Sequence, residues 1–386
     1  MINRMSTFQT AKLISLGLGT IAKLPEHVKK LGGTKVIIIS DPVLEDIGLL
    51  KKVSGIFDEA NISYETYLGV EPEPRLDLVE GCVNYIINNN CDLVVGLGGG
   101  SAMDIAKSAS VLATNNGPID KYFGVNCIPA KGLPMIMIPT TAGTGSEVTA
   151  IAILSDEKEE LKKGIVSEYL LPDVAIIDPE LMATMPPSIT AATGMDALTH
   201  AVEAYISLNG NFITDALAKE AIALIGGNLR TAVMNGNNLI ARENMAVGSL
   251  LAGMAFANAG VGAVHALAYP LGGKFKISHG IANSMLLPYV MEYNSLSCLE
   301  KFKIIAELLG EQTSDLSIRD SASLAIKSLA QLARDVGIPE RLSAFSIPES
   351  AIKEMAAAAV KTDRLMANNP RKLSVSEIEK IYQNAY

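Results

Sequence analysis

The sequence predicts an α/β N-terminal domain with a parallel sheet, followed by an all-α C-terminal domain. Three observations carry this. A chain of 386 residues exceeds what one ordinary hydrophobic core accommodates. From about residue 13 to 113, short β-branched runs alternate with longer amphipathic stretches, the pattern of parallel strands joined by crossover helices. Beyond Met185-Pro186-Pro187 the strand-like runs disappear and alanine-rich helical patterns replace them. The expected domains are therefore 1–187 and 188–386.

Taken in order, residues 36–39 read as a buried strand, followed by a helix-like stretch to residue 60. Residues 63–68 then pair with a helix at 76–88, and 93–97 with a helix at 101–113. A segment bearing proline and glycine, 117–134, precedes a further apolar run at 135–138. The charged stretch 155–163 is expected as a surface turn between short strands, and 174–177 as the last strand before the boundary. In the second half, helices are expected at 190–207, 213–234 and 241–256, with the charge-rich 361–380 as a solvated helix and loop.

Composition narrows the function. Hydrophobic residues make up 49% of the chain and charged residues 19%, enough apolar material to exclude global disorder. A formal charge of -9, with no basic cluster, argues against nucleic acid as a partner. Cys82, Cys91, Cys127 and Cys298 show no CxxC spacing and read as reduced core thiols. The N-terminus carries no signal pattern, and polar residues interrupt every apolar run before it reaches membrane-spanning length. The expectation is a cytoplasmic protein with no membrane partner.

Three of the four histidines fall within one stretch, beginning with Gly194-Met195-Asp196-Ala197-Leu198-Thr199-His200 and continuing to His265 and His279. Asp196 and His200, at i and i+4 of a helix, share a face. Pro270 and the Gly272-Gly273 pair are expected to break any single helix between His265 and His279, letting two further elements converge on the first pair. A lone histidine in an apolar helix is usually an ordinary hydrogen-bonded core residue. Three of them with an aspartate, flanked by small residues, form an N3O donor set suited to iron, zinc or nickel rather than calcium or magnesium.

The first half offers an anion site. Residues 93–107 read as a strand, a glycine turn (Gly98, Gly99, Gly100) and a helix start at Ser101, an arrangement that presents backbone N–H groups to phosphate. It is neither a phosphate loop nor a GxGxxG fingerprint, and tight strand-to-helix turns use glycine for purely structural reasons. Ser101 and Asp104 also have the spacing of a capping box. The loop Pro139-Thr140-Thr141-Ala142-Gly143-Thr144-Gly145-Ser146-Glu147 follows an apolar run, where open α/β sheets bind ligands, although a threonine-rich turn can simply cap its own backbone. Asp41 stands just past the strand at 36–39. There it can accept from a ribose diol and repel a 2′-phosphate, favouring NAD over NADP, or it can serve as an N-cap before Pro42.

With these residues in view, the chain resembles the iron-dependent (group III) alcohol dehydrogenase family, in the blocks GGGSAMDIAK (98–107), PTTAGTGSEVT (139–149), IDPEL (177–181), GMDALTHAVEAY (194–205), GMAFANAGVGAVHALA (253–268) and HGIANSMLLP (279–288). The resemblance implies a Rossmann-like dinucleotide-binding domain, a helical domain, and catalysis in the cleft between them. It places metal ligands on Asp196, His200, His265 and His279, and cofactor contacts on Asp41, Gly98, Gly99, Gly100, Ser101, Thr140, Thr141, Thr144 and Lys162. It further implies Fe(II), with Zn(II) as an alternative, NAD, a small alcohol or carbonyl substrate, and a homodimer or higher homo-oligomer. The implied activity is alcohol–aldehyde or alcohol–ketone interconversion, in which the metal polarises the substrate oxygen and NAD exchanges hydride.

Two positions depart from the family pattern. Tyr269 stands where many members carry a histidine assigned to proton relay, so it joins the metal ligands as a candidate catalytic residue that orients substrate. Glu73 stands where asparagine is usual. Three other readings fit the sequence: a hydroxyacid–oxoacid transhydrogenase, a sugar-phosphate cyclase of the dehydroquinate synthase group, which needs basic residues for phosphate, and a non-enzymatic sensor.

Overall fold

The structure, a computed structural model, describes residues 5–156 and 161–386. It comprises two compact units: one of Thr10–Thr141 with Gly145–Thr184, the other of Met185–Tyr386 with Ala142–Thr144 and residues 5–9.

The first unit is α/β. Its strands are β1 Leu13–Leu16, β2 Lys35–Ile39, β3 Ser63–Tyr67, β4 Leu93–Gly98, β5 Gly124–Val125, β6 Met135–Pro139, β7 Ile151–Asp156, β8 Leu161–Val166 and β9 Val174–Ile177. Six form one parallel sheet in the order β1-β9-β6-β4-β2-β3, and β5-β8-β7 form a small second sheet. β7 and β8 pair antiparallel, with Ile151 opposite Val166. The turn expected at 155–163 thus lies between two strands, and its centre, 157–160, lies outside the described residues.

The central strands are apolar at almost every position because both faces are covered. Val36 and Ile38 join the core with Leu24 and Val28 of α1 (Leu24–Lys30), Leu44 of α2 (Pro42–Asp46), and Leu50, Val53 and Phe57 of α3 (Leu49–Glu59). Ile37 and Ile39 point the other way, to Val79, Cys82 and Ile86 of α4 (Leu76–Asn88) and Ile105, Ala106 and Ala109 of α5 (Gly100–Leu112). Each such fully buried aliphatic side chain contributes about 1.5–3 kcal/mol. From β2 the chain moves outward to β3, and from β4 it moves the opposite way to β6. The carboxyl ends of β2 and β4 are therefore a topological switch point, where doubly wound sheets bind ligands.

Asp104 does not form the expected capping box: the N-cap of α5 is Gly99, and no side chain caps it. Tertiary structure takes the carboxylate instead. Asp104 accepts from Ser146 Oγ at 2.6 Å and from the Ile153 N–H at 2.9 Å, and its Oδ1 lies 3.3 Å from Lys107 Nζ. Lys107, fully buried, also donates to Ser146 O at 3.0 Å, Thr149 Oγ1 at 3.3 Å and the Ile151 carbonyl. This pair clamps the segment after the threonine loop onto α5.

The second unit is all helical. Three long helices, α6 Pro187–Ile206, α7 Phe212–Met234 and α8 Leu239–Ala259, pack on one another. They are followed by α9 Ala263–Phe275, α10 His279–Ser295, α11 Leu299–Leu308, α12 Ile318–Asp335, α13 Ile352–Ala359, α14 Asp363–Met366 and α15 Val375–Ala385. Contrary to expectation, α9 runs through Pro270 and the Gly272-Gly273 pair. Proline removes only one ladder bond, to the Ala266 carbonyl, and the buried face of the helix holds the rest. The break comes later, where Lys276 adopts φ 56°. Residues 361–380 form helix and loop as expected but are not merely solvated: Leu365, Asn368, Asn369, Leu373 and Ile378 are buried.

Among the described residues no single helix is long and apolar enough to cross a membrane; α8 and α9 reach that length and apolar character only together, as a pair bent by 102°. The four cysteines are unpaired, but only Cys82 and Cys91 are buried; Cys127 is exposed, because it sits in the proline- and glycine-bearing loop rather than in the sheet.

Lys107→Ala should lower stability by about 3–5 kcal/mol in urea unfolding, since it strands a carboxylate and several acceptors. A loss below about 1 kcal/mol would show that the Asp104–Lys107 clamp contributes no net stability.

Candidate metal centre

Three helices supply the four predicted residues. On α6, Asp196, His200 and Glu203 stand at i, i+4 and i+7, one continuous stripe. His265 lies in the first turn of α9, and His279 begins α10. A close approach brings α10 to α6: a Cβ on Gly280 would lie 2.5 Å from the Ala192 carbonyl oxygen, so only glycine fits beside His279. The ligand-type atoms of Asp196, His200, His265 and His279 all fall within 4.8 Å of one another, and the first three residues are buried.

Each ring is held by its surroundings. His265 Nδ1 lies 2.6 Å from Glu203 Oε2, and Glu203 Oε1 accepts from the Val264 N–H at 2.7 Å. With Nδ1–H donated to Glu203, the lone pair resides on Nε2, a buried atom with no partner. His200 Nδ1 lies 3.2 Å from the Gly143 carbonyl, fixing that ring in the same way. The His200 ring stacks between Phe256, at 4.3 Å, and His265, at 4.7 Å. The Asn283 amide donates to Asp196 Oδ1 at 2.7 Å and to His279 Nε2 at 3.0 Å.

The electrostatics favour a cation. Burial opposes the charge of Asp196, but the His200, His279 and His265 rings and the Asn283 amide outweigh it and hold the carboxyl below its ordinary range. Burial pushes the His200 imidazole down to about 4, against the attraction of Asp196. His200 is therefore a neutral donor at ordinary pH.

The α/β unit gathers most of the other predicted positions at the carboxyl ends of adjacent strands, while Lys162 lies on β8 of the small sheet. Asp41 follows β2, Gly98 to Ser101 close β4 and open α5, and Thr140 and Thr141 follow β6, whose Pro139 is in register with Gly98. Gly98 has φ 150°, and a Cβ there would meet Ala102 Cβ at 2.7 Å. The first turn of α5 thus keeps backbone donors with no side-chain cap, the arrangement that accepts an anion. Asp41 does cap α2, with Oδ1 accepting from the Leu44 N–H at 3.1 Å, so the N-cap reading holds; Oδ2 points towards Gly98. Thr144 belongs with Gly143 to the piece of this loop that groups with the helical unit.

The chain matches known proteins over nearly its whole length. Residues 11–179 match the iron-containing alcohol dehydrogenase family, and residues 190–386 match the family's C-terminal domain. The chain belongs to the iron-containing alcohol dehydrogenase family. It is 47% identical to long-chain-alcohol dehydrogenase 1 of Geobacillus thermodenitrificans (strain NG80-2), over 97% of this chain and 95% of that one. A crystal structure of 1,3-propanediol oxidoreductase superposes with a TM-score of 0.97 at 42% identity, covering 99% of this chain and 100% of that one. Sulfoacetaldehyde reductase from Bifidobacterium kashiwanohense, solved with NAD+, superposes at 0.91 with 29% identity, covering 99% of each chain.

In this iron-containing alcohol dehydrogenase, the structure shows the surroundings of the two positions expected to depart from the family pattern, Glu73 and Tyr269. Glu73 adopts φ 56°, a left-handed conformation in which asparagine is better tolerated, and its carboxylate pairs with Lys162 Nζ at 2.9 Å. The ammonium of Lys162 is thus directed to Glu73, beside its candidate role towards cofactor. Tyr269 stands one turn past His265; burial raises its phenol above the ordinary value, and a hydrogen bond from Arg364 opposes that only in part, so at neutral pH it stays protonated. Glu203, Asn283 and Gly143 were not foreseen from sequence. The first two had a signal in their spacing, i+3 from His200 and i+4 from His279; the Gly143 carbonyl had none.

Because the folded His200 value of about 4 lies below the unfolded one of about 6.5, the stability it contributes is complete above pH 6.5 and is lost as pH falls towards 4. In urea unfolding, metal-free wild type should lose stability over that window faster than His200→Gln, by up to about 1.4 kcal/mol per pH unit. Equal slopes would contradict the assignment of a neutral buried imidazole.

Proposed function

We propose that this protein interconverts an alcohol and its aldehyde or ketone with NAD(H), using Fe(II) held by Asp196, His200, His265 and His279. The observation that carries the reading is the buried cage itself: four ligand-type atoms within 4.8 Å, with His265 Nε2 lacking any hydrogen-bond partner. The residues fit a divalent transition metal, since one carboxylate with three imidazoles is the donor set such ions take. Zn(II) fits the same donors. When bound, the metal supplies Lewis-acid polarisation of a substrate oxygen, and the nicotinamide supplies the hydride acceptor.

The chain's own residues do the rest. Glu203 and the Gly143 carbonyl hold two imidazoles in one tautomer, so each presents Nε2 rather than a proton. The open first turn of α5 takes the cofactor pyrophosphate, with Ser101, Thr140, Thr141 and Thr144 as hydroxyl donors and Lys162 as a further contact. Asp41 Oδ2 accepts from a ribose hydroxyl and disfavours a 2′-phosphate. Tyr269, protonated at neutral pH, donates a hydrogen bond to substrate rather than acting as base. The names of the relatives, a long-chain-alcohol dehydrogenase and a 1,3-propanediol oxidoreductase, support primary alcohols and diols as the first substrates to try. A cytoplasmic location and a homo-oligomeric state complete the proposal.

Protein stripped by a strong chelator should give no NADH from NAD+ and an alcohol panel, Fe(II) should restore turnover, and Zn(II) should bind while restoring less. Full activity after verified removal of all metal would overturn the proposal. Alcohol oxidation that never releases free NADH would point to a transhydrogenase instead.

A further inference from the structure

The N-terminus of α9, which carries His265 in its first turn, is capped from elsewhere in the chain. Its N-cap, Gly262, offers no side chain, leaving the Ala263 and Val264 N–H groups to find acceptors. Val264 donates to Glu203 Oε1 at 2.7 Å, from α6, and Ala263 donates to Asn369 Oδ1 at 3.2 Å, from the segment between α14 and α15. Asn369 and Asn294 form a reciprocal amide pair, both bonds 2.8 Å long. Asn294 sits at the far end of α10, the helix that begins with His279. The second amide hydrogen of Asn369 goes to the Arg371 carbonyl at 2.7 Å, so both donors and both lone pairs of this amide are used. Asn294 is 0% exposed and Asn369 3%. A polar network of this kind in an apolar interior is satisfied in one geometry only, and losing any member strands the others.

We propose that Asn369 is a positioning residue for the metal cage. With Glu203 and Asn294 it forms a clamp that fixes the start of α9 against α6 and α10, and so places His265 relative to Asp196, His200 and His279. The proposal rests on the metal reading given above. It assigns to a residue of the segment between α14 and α15 a role in metal affinity although that residue is not one of the four ligand-type groups. Outer partners of metal ligands commonly set affinity by about 10–100-fold.

The test uses Co(II), whose visible absorption reports coordination, titrated against a chelator in wild type, Asn369→Ala, Asn294→Ala, the double variant and Asn115→Ala. Asn115 is buried and bonded to the Val111 and Ala130 carbonyls in the α/β unit, so its loss measures destabilisation alone. Asn369→Ala should weaken Co(II) about 10–100-fold and alter its spectrum. Asn294→Ala should do the same in smaller degree, with the double variant no worse than the poorer single one. NADH affinity should be unchanged throughout, and Asn115→Ala should bind Co(II) as wild type does. If Asn369→Ala does not fold, Asn294→Ala carries the test. Wild-type Co(II) affinity and spectrum in a folded Asn369→Ala, or in Asn294→Ala where only that variant folds, would overturn the clamp alone. Failure of the wild type to bind Co(II) would overturn the metal reading and the clamp with it.

Discussion

Two carboxylates buried among apolar helices, Asp196 and Glu203, are the constraint around which the helical unit is arranged. An ionised carboxylate in an interior costs several kcal/mol unless it is paired and hydrogen-bonded. Among the described residues no lysine or arginine pairs with either one. Their partners are imidazoles, an amide and helix N–H groups: His265 and Val264 for Glu203, Asn283 and the three rings for Asp196. Two buried carboxylates surrounded by nitrogen donors make an environment whose natural complement is a divalent cation. The same feature explains why a single face of α6 serves both purposes, with Asp196 and His200 facing the cage and Glu203 orienting the third ligand-type ring.

The α/β unit solves the opposite problem, keeping positive potential open. An uncapped helix N-terminus leaves donors that water or an anion must satisfy. Asp104 would cancel that potential if it capped α5. It lies inside the first turns of the helix, yet its charge is committed to Lys107, Ser146 and Ile153. The consequence is a glycine turn whose backbone donors no side chain caps, and a threonine loop anchored at its far end by a buried lysine. Glu147, in the same loop, is raised to about 7 by burial, so its negative charge is only partial at neutral pH.

Much of this was legible in the sequence, and the exceptions have physical reasons. The alternation of strand and helix, and the i and i+4 pair Asp196 and His200, are local patterns, so they survive folding unchanged. Ser101 and Asp104 also fit a local pattern, the capping box, but tertiary partners outbid the backbone for the carboxylate. Pro270 carries a strong breaker signal, yet the packed face of α9 tolerates one missing hydrogen bond, and the turn falls at Lys276 instead. Asn369 lay beyond reach: its partner Ala263 is 106 residues away, and nothing in an Asn-Asn-Pro segment announces a buried amide pair.

The central claim is that one divalent metal occupies the space enclosed by Asp196, His200, His265 and His279. Anomalous scattering from crystals of iron-loaded protein, collected on both sides of the iron edge, tests it directly. The account predicts a single peak at about 2.0–2.2 Å from a carboxylate oxygen of Asp196 and from one ring nitrogen of each histidine, Nε2 in the case of His265. A peak elsewhere, or none at that position in protein shown to contain stoichiometric iron, would contradict it.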